Sequence, residues 1–163
     1  MSYTEIVMKD LLRIIPQKGK VEWIGVRSMK KEELLDVKSV NVEKEPGLVG
    51  DHFKGSSSSK RQVTLIQQEH LNAVSSILRK KRIDPKLTRR NIGVSGINLL
   101  SLKHQQFRIG DVTLETTGIC PPCSRMEENL GAGGYNAMRG HGGITATVIE
   151  DGEIKLGDTI ELI

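Results

Sequence analysis

The sequence predicts a mainly β domain, a β-barrel decorated by a few α-helices, and three observations carry that expectation. Most of the chain divides into short runs rich in Val, Ile and Thr, punctuated by turn residues. Only one long helical pattern stands among them, at about Glu69 to Arg82. Strands and helices do not alternate regularly, which disfavours a doubly wound sheet.

The elements follow in chain order. Ser2 and Glu5 have capping-box spacing, and Met8, Leu11, Leu12 and Ile15 form one stripe that Pro16 ends. Residues 1–16 therefore read as a surface helix packed on the core. Strands are expected at Val21–Val26, Leu35–Val42, Val63–Ile66, Phe107–Thr116, Ile144–Ile149 and Thr159–Ile163, with Asp151-Gly152 as a tight hairpin turn. Arg79 to Arg82 close the one long helix, where cations complement the helix dipole. A short phrase occurs twice, Ile109-Gly110-Asp111-Val112 and Leu156-Gly157-Asp158-Thr159, and reads as one turn chemistry used at two corners. Gly50 to Arg61, with serines at 56–59, reads as a mobile surface loop or as a cradle for an anion.

At 163 residues the chain suits one domain, 1–163, with a core of its own. Aromatics are only 3% of it, so aliphatic side chains must fill the interior. No apolar run is long enough to cross a bilayer, and Glu5 and Asp10 interrupt the only stretch that resembles a targeting segment. Two cysteines without a signal peptide point to a reducing compartment, so a cytoplasmic location is expected. The net charge is +4, with basic clusters at Lys60-Arg61, Arg79 to Arg82 and Arg89-Arg90. These permit an alternative reading as a basic module for nucleic acid or another polyanion. The scarcity of aromatic stacking platforms argues against it.

The two cysteines lie in Cys120-Pro121-Pro122-Cys123. A structural zinc needs four ligands, whereas there is no second such pair and His52, His70, His104 and His141 are scattered. A thioredoxin-type pair carries its reactive thiol first within a βαβ unit, and no such unit surrounds Cys120. A single working thiolate is favoured, at Cys123. The two prolines hold the preceding backbone extended, so a helix starts only around Cys123, with Met126 and Leu130 facing the core. The helix N-terminus, helped by Arg125, then favours the thiolate. Cys120 reads as a small core cysteine.

With these residues in hand, the chain resembles the MOSC domain family, named for the C-terminal part of molybdenum cofactor sulfurases. The resemblance rests on an ordered series: GLVGDHF from Gly47, RQVTLI from Arg61, LTRRNIGVSGINLLSL from Leu87, FRIGDVTLETTGICPPC ending at Cys123, and GHGGITATVIEDGEIKLGDTIEL from Gly140. It covers Pro46 to Ile163, with Val21 to Val42 as the first barrel strands, and it implies a mostly antiparallel β-barrel. It also implies binding of molybdenum cofactor, a phosphorylated pterin dithiolene. Cys123 falls on the family's Pro-Cys motif and would be the thiolate ligand to molybdenum or a persulfide carrier. Arg89, Arg90 and Asn91 would hold the phosphate and pterin, assisted by Arg61. Asp51 and His52 fall on the family's Gly-Asp-x-His-like segment, with His directly after Asp. Gly142 and Gly143 would let backbone approach the cofactor, or form a plain barrel corner. The activity implied is reduction of an N-hydroxylated small molecule, with an electron donor as partner, or sulfur relay from a cysteine desulfurase. Pyridoxal phosphate is not expected within this chain.

Overall fold

The computed structural model describes residues 7–29, 32–53 and 59–163. Its strands are β1 (Gly19–Val26), β2 (Leu35–Asp36), β3 (Ser39–Glu43), β4 (Gly47–Leu48), β5 (Val63–Gln67), β6 (Ile92–Ser95), β7 (Gln106–Ile109), β8 (Val112–Ile119), β9 (Ile144–Glu150), β10 (Gly152–Lys155) and β11 (Thr159–Leu162). The α-helices are α1 (Met8–Leu11), α2 (Gln68–Ile77), α3 (Arg125–Leu130) and α4 (Gly134–Met138).

Strands β11, β7, β8, β9, β5, β6 and β1 pair side by side, and β1 returns to β11 through Gly19 opposite Ile160 and Lys20 opposite Thr159. The result is a closed barrel, mainly β as the sequence predicts. Every barrel pair is antiparallel except β5 with β6, where Leu65 lies opposite Ile92. A parallel pair needs a crossover, and α2 lies in it. A smaller sheet, β10-β3-β4, packs beside the barrel.

The alternation of β5 explains the layering. Val63 and Leu65 join the barrel interior with Ile24, Ile92, Phe107, Leu114 and Ile144. Ile66 points the other way, into a second cluster with Leu71, Val74, Met126, Leu130 and Met138 that seats the helices on the outer wall. Thr64, also on the outer face, lines a cavity instead.

Several expectations need correction. The N-terminal helix is a single turn with no buried residue. Leu11 and Leu12 are exposed, and of its stripe only Ile15 packs on the core. Four residues are too few to present four apolar positions on one face. Ser2 and Glu5 lie outside the described residues. Helix α2 ends at Ile77, before the basic run. Arg79 takes the left-handed conformation (φ 55°), its N–H bonds Ser76 and that of Lys80 bonds Ser75, the paired pattern of a Schellman stop. Lys80 Nζ instead donates to the carbonyl of Leu130, the last residue of α3 (2.7 Å). The expected strand from Leu35 to Val42 is two strands with separate partners, β1 and β4/β10. That from Phe107 to Thr116 is the hairpin β7–β8. At Asp151-Gly152 the chain turns, but β10 pairs with β3 rather than with β9. Asp151 Oδ1 accepts from the Lys44 N–H (2.9 Å), which ties the turn to the small sheet.

The repeated Gly-Asp phrase does mark two corners. Gly110 and Gly157 both have positive φ, and the corners meet where the Gly110 N–H bonds the Thr159 carbonyl (3.2 Å). Among the described residues no helix is long and apolar enough to cross a membrane.

Candidate functional site

The site begins where β1 ends. Arg27 follows Val26, and its backbone N–H donates to Asp51 Oδ1 (3.0 Å). Its side chain turns inward and the residue is only 7% exposed. Nη2 lies 3.4 Å from His52 Nε2. A guanidinium can only donate, so the imidazole nitrogen is the acceptor of that contact, while His52 Nδ1 stands 3.6 Å from Asp51 Oδ2. Nε and Nη1 of Arg27 are buried with no hydrogen-bond partner. Burial, then Arg89, pushes the pKa of Arg27 down; Asp51 opposes this and Arg125 adds to it. Cations are thus crowded together in a partly dry place, an arrangement that favours an anion.

Arg27 lies on the wall of a cavity of about 390 Å³, which Asp51, His52, Arg61, Arg89 and Asn91 also line. A second cavity of about 400 Å³ shares Arg27 and Arg89 and adds Arg125. Five of the residues expected from sequence therefore share one cavity. Arg27 was missed, because a lone cation after a strand belongs to no motif. Ser59 lines the same cavity, while the other serines of its loop lie outside the described residues.

Arg89 and Arg90 adjoin in sequence yet have different tasks. A 3₁₀ turn, Pro85–Thr88, is opened by Asp84 and Pro85 and ends at Arg89 in the left-handed conformation (φ 62°). Arg89 reaches both cavities, whereas Arg90 is 4% exposed and fully engaged. Its Nε donates to the Gly142 carbonyl (2.8 Å), Nη1 to Thr88 (2.9 Å), and Nη2 to Cys120 (3.4 Å) and Pro121 (3.2 Å). Arg90 is a staple that joins the cysteine loop to the glycine turn. Asn91 is likewise tied to the barrel wall, donating to the Gly25 carbonyl (3.1 Å) and accepting from Thr64 Oγ1 (3.1 Å).

The cysteine loop leaves β8 just after a bulge between Thr116 and Gly118. Such a bulge re-aims the strand end. The Cys120 N–H bonds the Gly143 carbonyl (2.8 Å), and the residue is fully buried. Cys120 nevertheless lies outside both apolar clusters, and Arg61 Nη2 donates to its sulfur (3.6 Å). Cys123 is exposed. Helix α3 starts at Arg125, two residues later than expected, because the Cys123 carbonyl is already used by the Met126 N–H (2.9 Å) and Ser124 occupies the cap position. Met126 and Leu130 are buried as the spacing predicts. Cys123 lines neither cavity, but it lies within electrostatic reach of Arg89 and Arg90, where it opposes the lowering of their pKa by burial. It therefore stands on the arginine side of the site.

A histidine pair backs the glycine turn. The His70 and His141 rings meet edge to face, with centroids 5.2 Å apart. His141 Nδ1 lies 2.9 Å from the Ala137 carbonyl, whereas His70 Nδ1 is buried without a partner. Burial and then His141 lower the His70 pKa below its ordinary 6.5, with Glu69 opposing. The unfolded chain takes up this proton near pH 6.5 and the native one only at lower pH. Stability is therefore full above about pH 6.5 and falls as pH drops through that value toward the native pKa. His70→Phe is expected to keep the ring packing and flatten this decline in urea midpoints. An unchanged slope would remove His70 as its cause.

The MOSC domain model matches residues 50–161. Among solved structures, the chain is similar to the YuaD protein of Bacillus subtilis (TM-score 0.77, 20% identity, covering 91% of this chain and 98% of that one). It is also similar to YiiM of Geobacillus stearothermophilus (TM-score 0.73, 15% identity, 89% and 75%) and to YiiM of Escherichia coli (TM-score 0.67, 16% identity, 88% and 69%). No curated protein matches it. With the family model spanning most of the chain and the same barrel in these structures, the protein belongs to the MOSC domain family.

Proposed function

We propose that the protein binds molybdenum cofactor, with the anionic end of the pterin in the cavity walled by Arg27, Arg61 and Arg89, and Cys123 as the protein's sulfur ligand to the metal. The observation that carries this reading is the buried Arg27 guanidinium with Nε and Nη1 unpartnered. A phosphate offers the charge and the acceptor oxygens those donors lack. Among the described residues no three of His, Cys, Asp and Glu converge on one point, so a metal here would draw most of its ligands from an organic cofactor. The cavity volume falls in the range of small-molecule sites.

When bound, such a cofactor supplies the two-electron redox chemistry of molybdenum. The chain's own residues bind and orient. Arg27 and Arg89 grip the anion, Asp51 and His52 hold Arg27 in place, and Arg90 with Asn91 keeps the cavity and cysteine loop in register. The reaction proposed is reduction of an N-hydroxylated small molecule, with electrons from a partner. A second reading, sulfur relay from a cysteine desulfurase, is favoured by the exposure of Cys123.

The test is molybdenum and pterin content per chain after expression in a cofactor-producing cell. Cys123→Ala is expected to lose metal, Cys120→Ala to keep it. Arg27→Met is expected to weaken retention of both metal and pterin roughly ten- to a hundredfold, the value of a charge-assisted hydrogen bond or two. Equal retention in all variants would sink the proposal.

A further inference from the structure

We propose that Cys120 is a second working thiol, which resolves a persulfide formed on Cys123 by closing a disulfide with it and releasing sulfide. The inference rests on the sulfur-relay reading of Cys123 and not on cofactor binding. Cys120 is buried in the core as the sequence suggests, but its sulfur has a polar neighbour. It is fully buried yet outside both apolar clusters, and it receives an N–H from Arg61 Nη2 at 3.6 Å. The guanidinium of Arg90 is also close, holding the Cys120 and Pro121 carbonyls. A packing cysteine has no need of guanidinium donors, whereas donors of this kind stabilise the negative charge of an attacking sulfur. The partner is placed to match. Cys123 is the exposed end of the same loop, open to a sulfur donor, and two residues between cysteines are a span that disulfides close in redox proteins. Arg90 pins the Cys120 end of the loop, so closure is a movement of Cys123.

The steps balance. A sulfane-sulfur donor, either polysulfide or a persulfide on a partner protein, passes its terminal sulfur to the Cys123 thiolate and leaves as the shortened thiolate. The Cys120 thiolate then attacks the inner sulfur of Cys123. A Cys120–Cys123 bond forms, the bond to the outer sulfur breaks, and that sulfur leaves with the electron pair as hydrosulfide. A dithiol reductant returns both cysteines to thiols. The order is the reverse of a thioredoxin pair: the second cysteine meets the substrate and the first, buried one resolves.

The test uses the reduced full chain, inorganic polysulfide as the probe, rapid removal of excess, and mass spectrometry with sulfide assay over time. One tryptic peptide, from Ile109 to Arg125, contains both cysteines. In wild type this peptide is expected to gain one sulfur, then lose it together with two hydrogens, with one sulfide released per chain. In Cys120→Ser the extra sulfur should persist on Cys123 about tenfold longer or more. Arg61→Gln, at an exposed position, should slow conversion of the Cys123 persulfide to the disulfide. A wild-type persulfide as long-lived as that of Cys120→Ser, no loading of Cys123, or no internal disulfide in the wild-type peptide would each overturn the proposal. The last two are read on the wild type and do not depend on any variant folding.

Discussion

Gly143→Ala is expected to destabilise the fold by roughly 4 kcal/mol or more, combining a left-handed backbone with an unrelievable overlap. Gly143 has φ +84°, and a Cβ there would stand 1.8 Å from the Leu65 carbonyl oxygen and 3.0 Å from Ile66 Cα. Both obstacles are backbone of β5, which is paired through Leu65 with Ile144, the residue after the glycine. Only prying β5 from β9 would make room. The damage would spread, since the Gly143 carbonyl also holds the Cys120 N–H. Gly140→Ala is the control. Its φ is +83° but nothing lies within 4 Å of the added carbon. It should cost only about 1–2 kcal/mol. Urea unfolding of both variants decides the matter, and comparable losses would refute the steric argument.

Arg90→Lys is expected to cost about 3–5 kcal/mol even though the charge is kept. One ammonium cannot reach carbonyls on Thr88, Cys120, Pro121 and Gly142 at once, and several would be left buried without a donor. The loss should also be local. Cys120, fully buried in the native protein, is expected to become reactive to a maleimide well below the unfolding midpoint. A loss under about 1 kcal/mol with Cys120 still protected would show that the staple is dispensable.

What could be read beforehand was local chemistry. The β-branched and apolar run Val63 to Ile66 marks a strand, and the Gly-Asp pairs at 110 and 157 mark turns whatever their surroundings. The short strands β4 and β10 were not legible, since segments of two and four residues owe their conformation to β3. Strand β6 was hidden for another reason. Gly93 interrupts its β pattern, and the space it leaves is taken by the Trp23 Cβ, 3.3 Å from where its own would be. The site divides the same way. Cys123 announces itself by its prolines, but Arg27 matters only because Asp51, His52 and Arg89 arrive from distant segments. Nor can spelling distinguish Arg89 from Arg90. The left-handed residue at 89 sends one side chain to the cavity walls and the other into a web of carbonyls.

The barrel seam joins Gly19 and Lys20 to Ile160 and Thr159, so its first strand to be synthesised is sealed by its last. On the ribosome, β1 would have β6 as a neighbour long before its other edge is covered. A nascent chain stalled short of β11 would carry an open hydrogen-bonding rim on both β1 and β7, a template for wrong pairing until β11 is made.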